Sequence, residues 1–377
     1  MFYINNTDSL EKFSGVYFWG TGKLAKYVLE QFGKEISEMN IRGFIDNYRD
    51  ESKDTFFGYQ VYSPQILKQE GKYHVIILSN YFEEIVQQIE KNYGSNVCRC
   101  ENYYYFIRCR LVARYKECRD REIKELLNYI QSEGLQVFNY PFTLNYANIT
   151  YEINFDIKKQ VFYAVIFGKR LYFPKSYESE NQIQEYLRQI MMEQDKLSPH
   201  CYLEDGFAVD AGMVVVDAGA AEGSFALSVI DRVKKIYLIE PDKDWVAALK
   251  YTFEPYGNKV VIINKYLSNY QSGETVTIDS IVSEKLDFLK MDVEGEEYYA
   301  LDGARNTILC SETIKCVVCT YHQEFDYKNI EDLFTQMGLK TKPSRGYMWF
   351  PYDKNYLFSL PTFRRGIIRA ERVSNEK

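Results

Sequence analysis

A chain of 377 residues, of which 46% are hydrophobic, is long enough for two domains that each have a core. Its formal net charge of −7 argues against a nucleic-acid or anionic-membrane binder, because both need a basic surface. No apolar run is long enough to cross a bilayer, and the first residues lack a basic segment followed by an apolar one. We therefore expect a cytoplasmic protein with neither a nucleic-acid nor a membrane partner.

The first hundred residues show the pattern of a small α/β domain. Apolar strands that alternate with amphipathic helices are predicted at residues 15–20, 41–47 and 74–79. The turn after the first strand reads Gly20-x-Gly22-x-x-Ala25, and Asp46 ends the second strand. This is the dinucleotide-binding pattern with alanine at the third glycine, so Gly20, Gly22 and Asp46 are candidate ligand-binding residues. A domain used only for packing or dimerisation would show the same pattern.

The next segment is predicted to connect two α/β units. Residues 111–132 are highly charged with helical periodicity, which indicates a solvated linking helix. Residues 136–174 alternate apolar and polar side chains, which favours a hairpin or a small antiparallel sheet. A helix is predicted over residues 178–192.

A second segment with the strand–turn–helix pattern of a nucleotide-binding site begins at residue 214. Residues 214–223 read Val-Val-Val-Asp-Ala-Gly-Ala-Ala-Glu-Gly, and Ser224 opens a helix. A buried strand that leads into a glycine-containing turn and a helix is the nucleotide-binding corner of a doubly wound sheet. The carboxylates of Asp217 and Glu222 would repel a pyrophosphate, whereas they suit a cationic cofactor. S-adenosylmethionine carries the required positive charges, and its carboxylate can use helix N-terminal amides.

Three further strands are predicted over residues 235–240, 260–264 and 286–292. Glu240 ends the first of them, where an acid accepts the ribose hydroxyls of an adenosine ligand. Asp292 ends the third, at the edge where open α/β sheets bind ligands. Any one of these acids alone also fits an ordinary α/β core. The predicted cofactor-binding residues are Asp217, Gly219, Ala220, Glu222, Gly223, Ser224, Glu240, Pro241, Asp242, Leu267 and Asp292.

Several motifs resemble those of FkbM-type S-adenosylmethionine-dependent methyltransferases, and the resemblance covers about residues 190–372. It is carried by the segments 217–223, 239–241, 277–280 and 290–297, the last of which reads Lys-Met-Asp-Val-Glu-Gly-Glu-Glu. This last block is the most distinctive, whereas Ala218, Ala221 and Glu222 depart from the usual first turn. A segment from Glu193 to His200 resembles one that precedes the fold in a subgroup. The resemblance implies O-methylation of sugars, glycans or glycosylated natural products.

Two histidines and three charged residues are the catalytic candidates. His322 follows a predicted strand at the carboxyl end of the sheet, and a neutral histidine can take the proton of an acceptor hydroxyl. His200 is the reserve base, and a structural hydrogen-bonding role stays open for both histidines. Lys290 could bind the acceptor oxygen, and Asp292 could hold the cofactor ammonium or the acceptor hydroxyl. Glu294 belongs to the same block.

No metal is predicted. Cys316 and Cys319 lie three apart on a predicted strand, so their side chains face opposite sides and do not share an ion. Three nearby carboxylates could bind Mg²⁺, but a second acid cluster at suitable spacing is missing from the sequence.

The interpretation is an α/β protein with two Rossmann-like domains, the second with a doubly wound, mostly parallel sheet. The boundaries are 1–108 for the first, 109–203 for the connector and 204–377 for the methyltransferase. The first domain resembles small domains that precede sugar-modifying enzymes and bind nucleotides or nucleotide-sugars. We expect an O-methyltransferase acting on a sugar, nucleotide-sugar, glycan or related metabolite. An NAD-dependent nucleotide-sugar oxidoreductase and a non-catalytic nucleotide or glycan binder are the alternatives, and a homodimer is a further possibility.

Overall fold

The computed structural model describes residues 15–48, 54–351 and 361–373. The N-terminal residues on which the expectation of a missing signal depends lie outside this part. The described residues form two units: the first comprises those up to Asn139 together with Pro361 and Thr362, and the second comprises those from Tyr140 to Pro351 and from Phe363 on. The predicted connector, residues 109–203, is therefore divided between the two units. Within the described part, no helix combines the length and the apolar character that a bilayer span requires.

The first unit contains a six-stranded sheet with the order β3-β4-β2-β1-β5-β6. All neighbours are parallel except β3 and β4. The strands are β1 (Gly15–Trp19), β2 (Ile41–Ile45), β3 (Thr55–Phe56), β4 (Tyr59–Tyr62), β5 (Tyr73–Ile77) and β6 (Val97–Asn102). The helices are α1 (Lys23–Gln31), α2 (Gly33–Ser37), α3 (Phe82–Tyr93), α4 (Tyr104–Arg114) and α5 (Arg121–Glu133). The predicted α/β pattern of this region is confirmed.

The prediction of one solvated linking helix over residues 111–132 was wrong. Two helices, α4 and α5, cover this region, and Asp120 caps the second by accepting from two backbone N–H groups. Both helices bury an apolar face; in α5 that face is Ile123, Leu126, Leu127 and Ile130. These four residues follow helical spacing, so the many charges occupy only the opposite side of an otherwise buried helix.

A buried carboxylate joins four elements of the first unit. Glu101 in β6 lies 3.0 Å from the Arg108 guanidinium of α4 and 3.3 Å from His74 Nε2 of β5, and it also pairs with Arg99. Arg108 in turn donates to the carbonyl of Ile130 in α5 at 3.1 Å. Burial raises the pKa of Glu101, but these partners outweigh it and lower the pKa to about 2. Burial lowers the pKa of His74, which favours its neutral form.

Because this carboxylate balances two guanidinium groups, Glu101→Gln should lower the free energy of unfolding of the first unit by about 3–5 kcal/mol. Glu90→Gln, on the exposed side of α3, is the matched control and should change it little. Urea unfolding followed by circular dichroism measures both. Equal midpoints for the two variants would show that the ion cluster does not stabilise the unit.

The second unit contains a seven-stranded sheet with the order β12-β11-β10-β15-β16-β18-β17, parallel except at β18. Its strands are β10 (Val214–Ala218), β11 (Lys235–Ile239), β12 (Val260–Ile263), β15 (Phe288–Met291), β16 (Ile314–Cys319), β17 (Lys340–Pro343) and β18 (Ile367–Arg372). A separate parallel pair consists of β13 (Tyr266–Leu267) and β14 (Thr275–Val276). This confirms the predicted doubly wound, mostly parallel sheet.

The predicted small antiparallel sheet is also confirmed. It consists of β7 (Ile153–Asp156), β8 (Val161–Ile166) and β9 (Lys169–Tyr172). The helices of the second unit are α6 (Glu180–Glu193), α7 (Ser224–Val229), α8 (Lys243–Phe253), α9 (Ile278–Ile281), α10 (Glu297–Asp302), α11 (Arg305–Cys310) and α12 (Asp326–Gln336). From β10 the chain passes outward to β11 and β12 and then returns to β15, so a topological switch point lies between β10 and β15.

Candidate active site

The turn after β10 lies directly against the end of β15. Gly219 has a φ of 72°, and a Cβ there would lie 1.7 Å from the carbonyl oxygen of Asp292. The Asp292 N–H donates to the carbonyl of Ala218 at 2.9 Å. Only glycine permits both the backbone conformation and this close approach, so it brings the turn and Asp292 together at the switch point.

The structure places Asp217 and Lys290 beneath the turn and pairs them with each other. The two residues are opposite in the β10–β15 register, and Lys290 Nζ lies 3.0 Å from Asp217 Oδ1. The same ammonium donates to the carbonyl of Gly219 at 2.6 Å. Burial lowers the pKa of Lys290, but the Asp217 and Asp292 carboxylates outweigh burial and raise it. Neither residue lines the cavity described below, and the pair holds the turn in position.

Glu222 also stabilises the turn from within. Its carboxylate accepts from the Ser224 hydroxyl and N–H at the start of α7, and from the Tyr186 hydroxyl of α6 at 2.8 Å. Gly223, with a φ of 86°, precedes that helix, and a Cβ there would lie 2.7 Å from the Leu249 side chain. Glu222 and Ser224, both predicted to bind the cofactor, thus contact each other and fix the start of α7.

Glu240, after β11, is held by two backbone groups. Its Oε2 accepts from the N–H of Ala221 at 2.8 Å and its Oε1 from the N–H of Asp242 at 2.9 Å. A carboxylate oxygen has two lone pairs, so each oxygen can accept one further hydrogen bond. This orientation suits a ribose with two free hydroxyls. Asp242 itself caps α8 through two backbone N–H groups.

A cavity of 280 Å³ opens between this turn, the end of β11 and the end of β15. Six of the predicted site residues line it: Gly219, Glu240, Pro241, Leu267, Asp292 and Glu294. Other predicted site residues do not line the cavity, among them Asp217, Ala220, Glu222, Gly223, Ser224 and Asp242. The cavity is also lined by seven residues that were not predicted: Ala221, Ile239, Trp245, Lys265, Tyr266, Val293 and Glu296. Trp245 lies one turn into the helix that Asp242 caps, a spacing that could have indicated it.

Asp292 is the centre of a polar cluster at the edge of this cavity. Its carboxylate accepts from the Tyr202 hydroxyl at 2.8 Å and from the Tyr321 hydroxyl at 3.3 Å. His200 Nε2 lies 3.6 Å from one oxygen and His322 Nε2 3.7 Å from the other. Burial raises the pKa of Asp292, but the two histidines and Lys290 outweigh it and hold this pKa well below its ordinary value. Asp292 is therefore ionised.

His322 lies among three carboxylates, which is the opposite of what a general base needs. Its Nδ1 is 3.0 Å from Glu297 Oε1, and its Nε2 is 3.6 Å from Glu294 Oε2 on the side that also faces Asp292. Burial alone would lower the pKa of His322, but the carboxylates outweigh burial and raise it to about 10. The imidazole is protonated at neutral pH and has no lone pair to accept a proton. The prediction that His322 is the base does not fit this geometry.

His200 is buried between Asp292 and the end of α6. Its Nε2 lies 3.4 Å from Cys319 Sγ, and its Nδ1 is 3.4 Å from the side-chain amide nitrogen of Gln194. Glu193, the last residue of α6, approaches the same ring nitrogen at 3.9 Å. Burial raises the pKa of the Glu193 carboxyl to about 7. A partly exposed carboxyl with this pKa can take up a proton at neutral pH, and the sequence analysis did not single it out.

Residues 264–347 match the family model of the methyltransferase FkbM domain. The chain therefore carries an FkbM methyltransferase domain. The match includes Asp292, Glu294 and His322, whereas the turn after β10 and Glu240 lie before it. It confirms the prediction of a methyltransferase with S-adenosylmethionine as its cofactor, in preference to an NAD-dependent oxidoreductase. Residues 14–97 match a different model, described as C2185-like, N-terminal.

Solved methyltransferase structures resemble the chain at low sequence identity. Methyltransferase FkbM from Methylobacillus flagellatus KT is 14% identical, with 94% of this chain and 89% of that chain covered and a TM-score of 0.44. Magnesium protoporphyrin IX methyltransferase from Synechocystis PCC 6803 is 17% identical, with 51% and 85% covered and a TM-score of 0.34. A putative methyltransferase from Streptococcus mutans is 12% identical, with 44% and 91% covered and a TM-score of 0.31. No curated protein matches the sequence.

Two groups of side chains near Asp292 are close enough to share a metal ion. They are His200, Asp292 and Cys319, and Asp292, Glu297 and His322. In the second group, His322 turns Nδ1 to Glu297 and Nε2 to Asp292. Because the two carboxylates face different ring nitrogens, ion pairing with the protonated imidazole accounts for the contacts of this second group.

The first unit has its own cleft, of 560 Å³, and the predicted residues Gly20, Gly22 and Asp46 all line it. It lies entirely within residues 19–88. The residues predicted for the N-terminal ligand therefore come together in one place, separate from the cavity of the methyltransferase domain.

Glu240→Gln should weaken S-adenosylmethionine binding by about 1.5–3 kcal/mol, the scale of charge-assisted hydrogen bonds. The amide keeps the shape of the side chain but loses the charge that favours two ribose hydroxyls. Asp244→Asn, at an exposed position of α8 outside the cavity, is the control. Isothermal titration calorimetry measures the affinities. An unchanged dissociation constant in Glu240→Gln would remove this residue from the ribose site.

His322→Gln should flatten the dependence of the free energy of unfolding on pH. The pKa of His322 is about 10 in the folded protein and about 6.5 in the unfolded chain. Its stabilisation is therefore fully present below about pH 6.5 and is lost as the pH rises through about 10. Urea unfolding at several pH values tests this, since other titrating groups are common to both proteins. Parallel curves for the two proteins would contradict the protonated state.

Proposed function

We propose that this methyltransferase methylates a hydroxyl group of a sugar, nucleotide-sugar, glycan or related metabolite. The single observation that carries the choice of a hydroxyl is the Glu193 carboxyl beside the Asp292 cluster. An alkyl hydroxyl must lose its proton as it attacks a methyl group, and a carboxylate with a pKa near the working pH suits that task. The pKa of Glu193, which burial raises to about 7, meets this condition.

The residues of the cavity have separate tasks in this proposal. When bound, S-adenosylmethionine supplies a methyl group activated by its sulfonium charge. Glu240 binds the ribose, and the turn from Gly219 presents its backbone to the amino-acid part. The ionised Asp292 provides negative charge at the edge of the cavity, and two tyrosine hydroxyls and His200 hold it in place. Glu193 Oε2 accepts the proton of the acceptor hydroxyl.

In this proposal His200 positions Glu193 and is not itself the base. Its ring lies between Glu193 and Asp292, with Nδ1 turned to the first and Nε2 to the second. Gln194, the residue after Glu193, also contacts this ring, with its side-chain amide nitrogen 3.4 Å from Nδ1.

An aromatic groove of 330 Å³ supports a carbohydrate acceptor. It is lined by Ser176, Tyr177, Gln182, Glu185, Tyr186 and Gln189. The rings of Tyr177 and Tyr186 lie 5.7 and 5.6 Å from the ring of Trp245, which also lines the cofactor cavity. Flat aromatic faces cover the apolar faces of sugars, while amides and carboxylates bind their hydroxyls. The net charge of −7 further favours a small molecule or glycan over a nucleic acid.

Glu193→Gln should lower the turnover number by about 10²–10⁴-fold, the range for a lost general base. The affinity for S-adenosylmethionine should stay the same, because Glu193 does not line the cofactor cavity. In the unmodified enzyme the rate should rise with pH through about 7, as this carboxyl ionises, and that rise should be missing in the variant. Release of S-adenosylhomocysteine over a panel of hexoses, glycosides and nucleotide-hexoses measures the rate.

Glu180→Gln, at an exposed position in the first turn of the same helix, is the control and should retain full turnover. Full turnover by Glu193→Gln with an unchanged pH profile would exclude Glu193 as the base. Binding of S-adenosylmethionine without turnover on any member of the panel would contradict a sugar acceptor.

A further inference from the structure

The cleft of the first unit lies at a topological switch point of its own. From β1 the chain passes outward to β2 and later returns to β5 on the other side of β1. Gly20, directly after β1, has a φ of 118°, and a Cβ there would lie 2.7 Å from the carbonyl oxygen of Leu78 after β5. The glycine thus lets the turn pack against the end of the neighbouring strand. Ligands of open α/β sheets bind at this kind of position.

The turn of the first unit favours an anion. Helix α1 begins after Gly22 with no side-chain cap and no acid in its first turn, and Lys23 is its first residue. The first N–H groups of a helix lack helical partners and attract negative charge. A Cβ on Gly22 would meet nothing within 4 Å, so the space beside these groups is open. In the methyltransferase domain the N-cap of α7 is also a glycine, Gly223, but the carboxylate of Glu222 before it accepts from the N–H of Ser224.

Asp46, after β2, has the same anchoring as Glu240 after β11. Its Oδ2 accepts from the Thr21 hydroxyl of the turn at 2.5 Å, and its Oδ1 accepts from the N–H of Tyr48 at 3.0 Å. In both units the acid therefore accepts one hydrogen bond from the glycine-containing turn and one from the backbone N–H two residues after the acid itself. Each oxygen keeps a lone pair for a ribose hydroxyl, and an acid here disfavours a phosphorylated ribose.

The remaining wall of the cleft suits a nucleobase. Tyr81 lines it and is 68% exposed, so a ring face is available for stacking. Asn47 and Gln88 exchange two amide hydrogen bonds, of 3.2 and 3.1 Å, and both line the cleft. Amide groups offer donors and acceptors to the edge of a base without adding charge.

We propose that the first unit binds a nucleoside diphosphate, with the diphosphate on the turn from Gly20 to Ala25 and the ribose on Asp46. The site is additional to the S-adenosylmethionine cavity and does not depend on the identity of the methyl acceptor. The cleft volume of 560 Å³ lies within the range of ordinary ligand pockets.

The test measures binding of ADP and of UDP to the full chain by calorimetry, with S-adenosylhomocysteine at saturation so that the methyltransferase cavity is filled. We expect one nucleoside diphosphate per chain for at least one of the two probes. Gly22→Asp should weaken this binding by about tenfold or more, because the new carboxylate lies beside the diphosphate. Gly22 has a φ of −83° and open space around it, and aspartate is a favoured helix N-cap, so this variant should fold.

Gly33→Asp is the matched control, since a Cβ there also meets nothing within 4 Å and the position does not line the cleft. It should bind the probe as the unmodified chain does. Asp46→Asn should weaken ADP or UDP more than it weakens inorganic pyrophosphate, because only the nucleosides carry a ribose. Lack of binding by both nucleotides, or equal affinity in Gly22→Asp and the unmodified chain, would overturn the proposal.

Discussion

The buried ammonium of Lys290 joins the two central strands of the methyltransferase domain at the point where both end. It pairs with Asp217 across the register and binds the carbonyl of Gly219 in the turn above. A buried charge of this kind is tolerated only when its partners are complete, and here a carboxylate and a carbonyl provide them. The position of the turn, and through it the contact between Ala221 and Glu240, depends on this arrangement. The position of the cofactor cavity thus follows from the register of these two strands.

The same edge of the sheet explains why its two histidines differ. Asp292 carries a negative charge and lies between them, but their other neighbours are not alike. His322 faces two further carboxylates and is protonated, so it serves as a fixed positive charge that balances the acids of the family motif. His200 faces an amide, a thiol and, at 3.9 Å, the carboxyl of Glu193. Neighbouring charge, rather than the residue type, decides what each histidine can do.

The sequence predicted those parts of the fold and site that depend on local patterns. Apolar runs located the strands of both sheets, and the small residues after β10 and β1 located both turns. The acids after β11 and β2 were found because their position relative to the strand is local information. The pairing of Asp217 with Lys290 was missed because it depends on the register of two strands far apart in sequence. The protonation of His322 was missed for the same reason, since its carboxylates belong to the block that follows β15.

The two units show how one backbone arrangement can be directed to ligands of opposite charge. Each has a strand, a glycine-containing turn and an acid anchored by two hydrogen bonds after the next strand. Both helices have a glycine as N-cap, but Glu222, the residue before the N-cap of α7, accepts from the N–H of Ser224, whereas α1 has neither a side-chain cap nor an acid in its first turn. An acid here cancels the positive end of a helix, whereas a helix start without one stays available to an anion. The anchored acid does not distinguish a cationic from an anionic ligand, because a ribose has the same hydroxyls in both. One side chain in the turn therefore separates a site for a cationic cofactor from a site for a diphosphate.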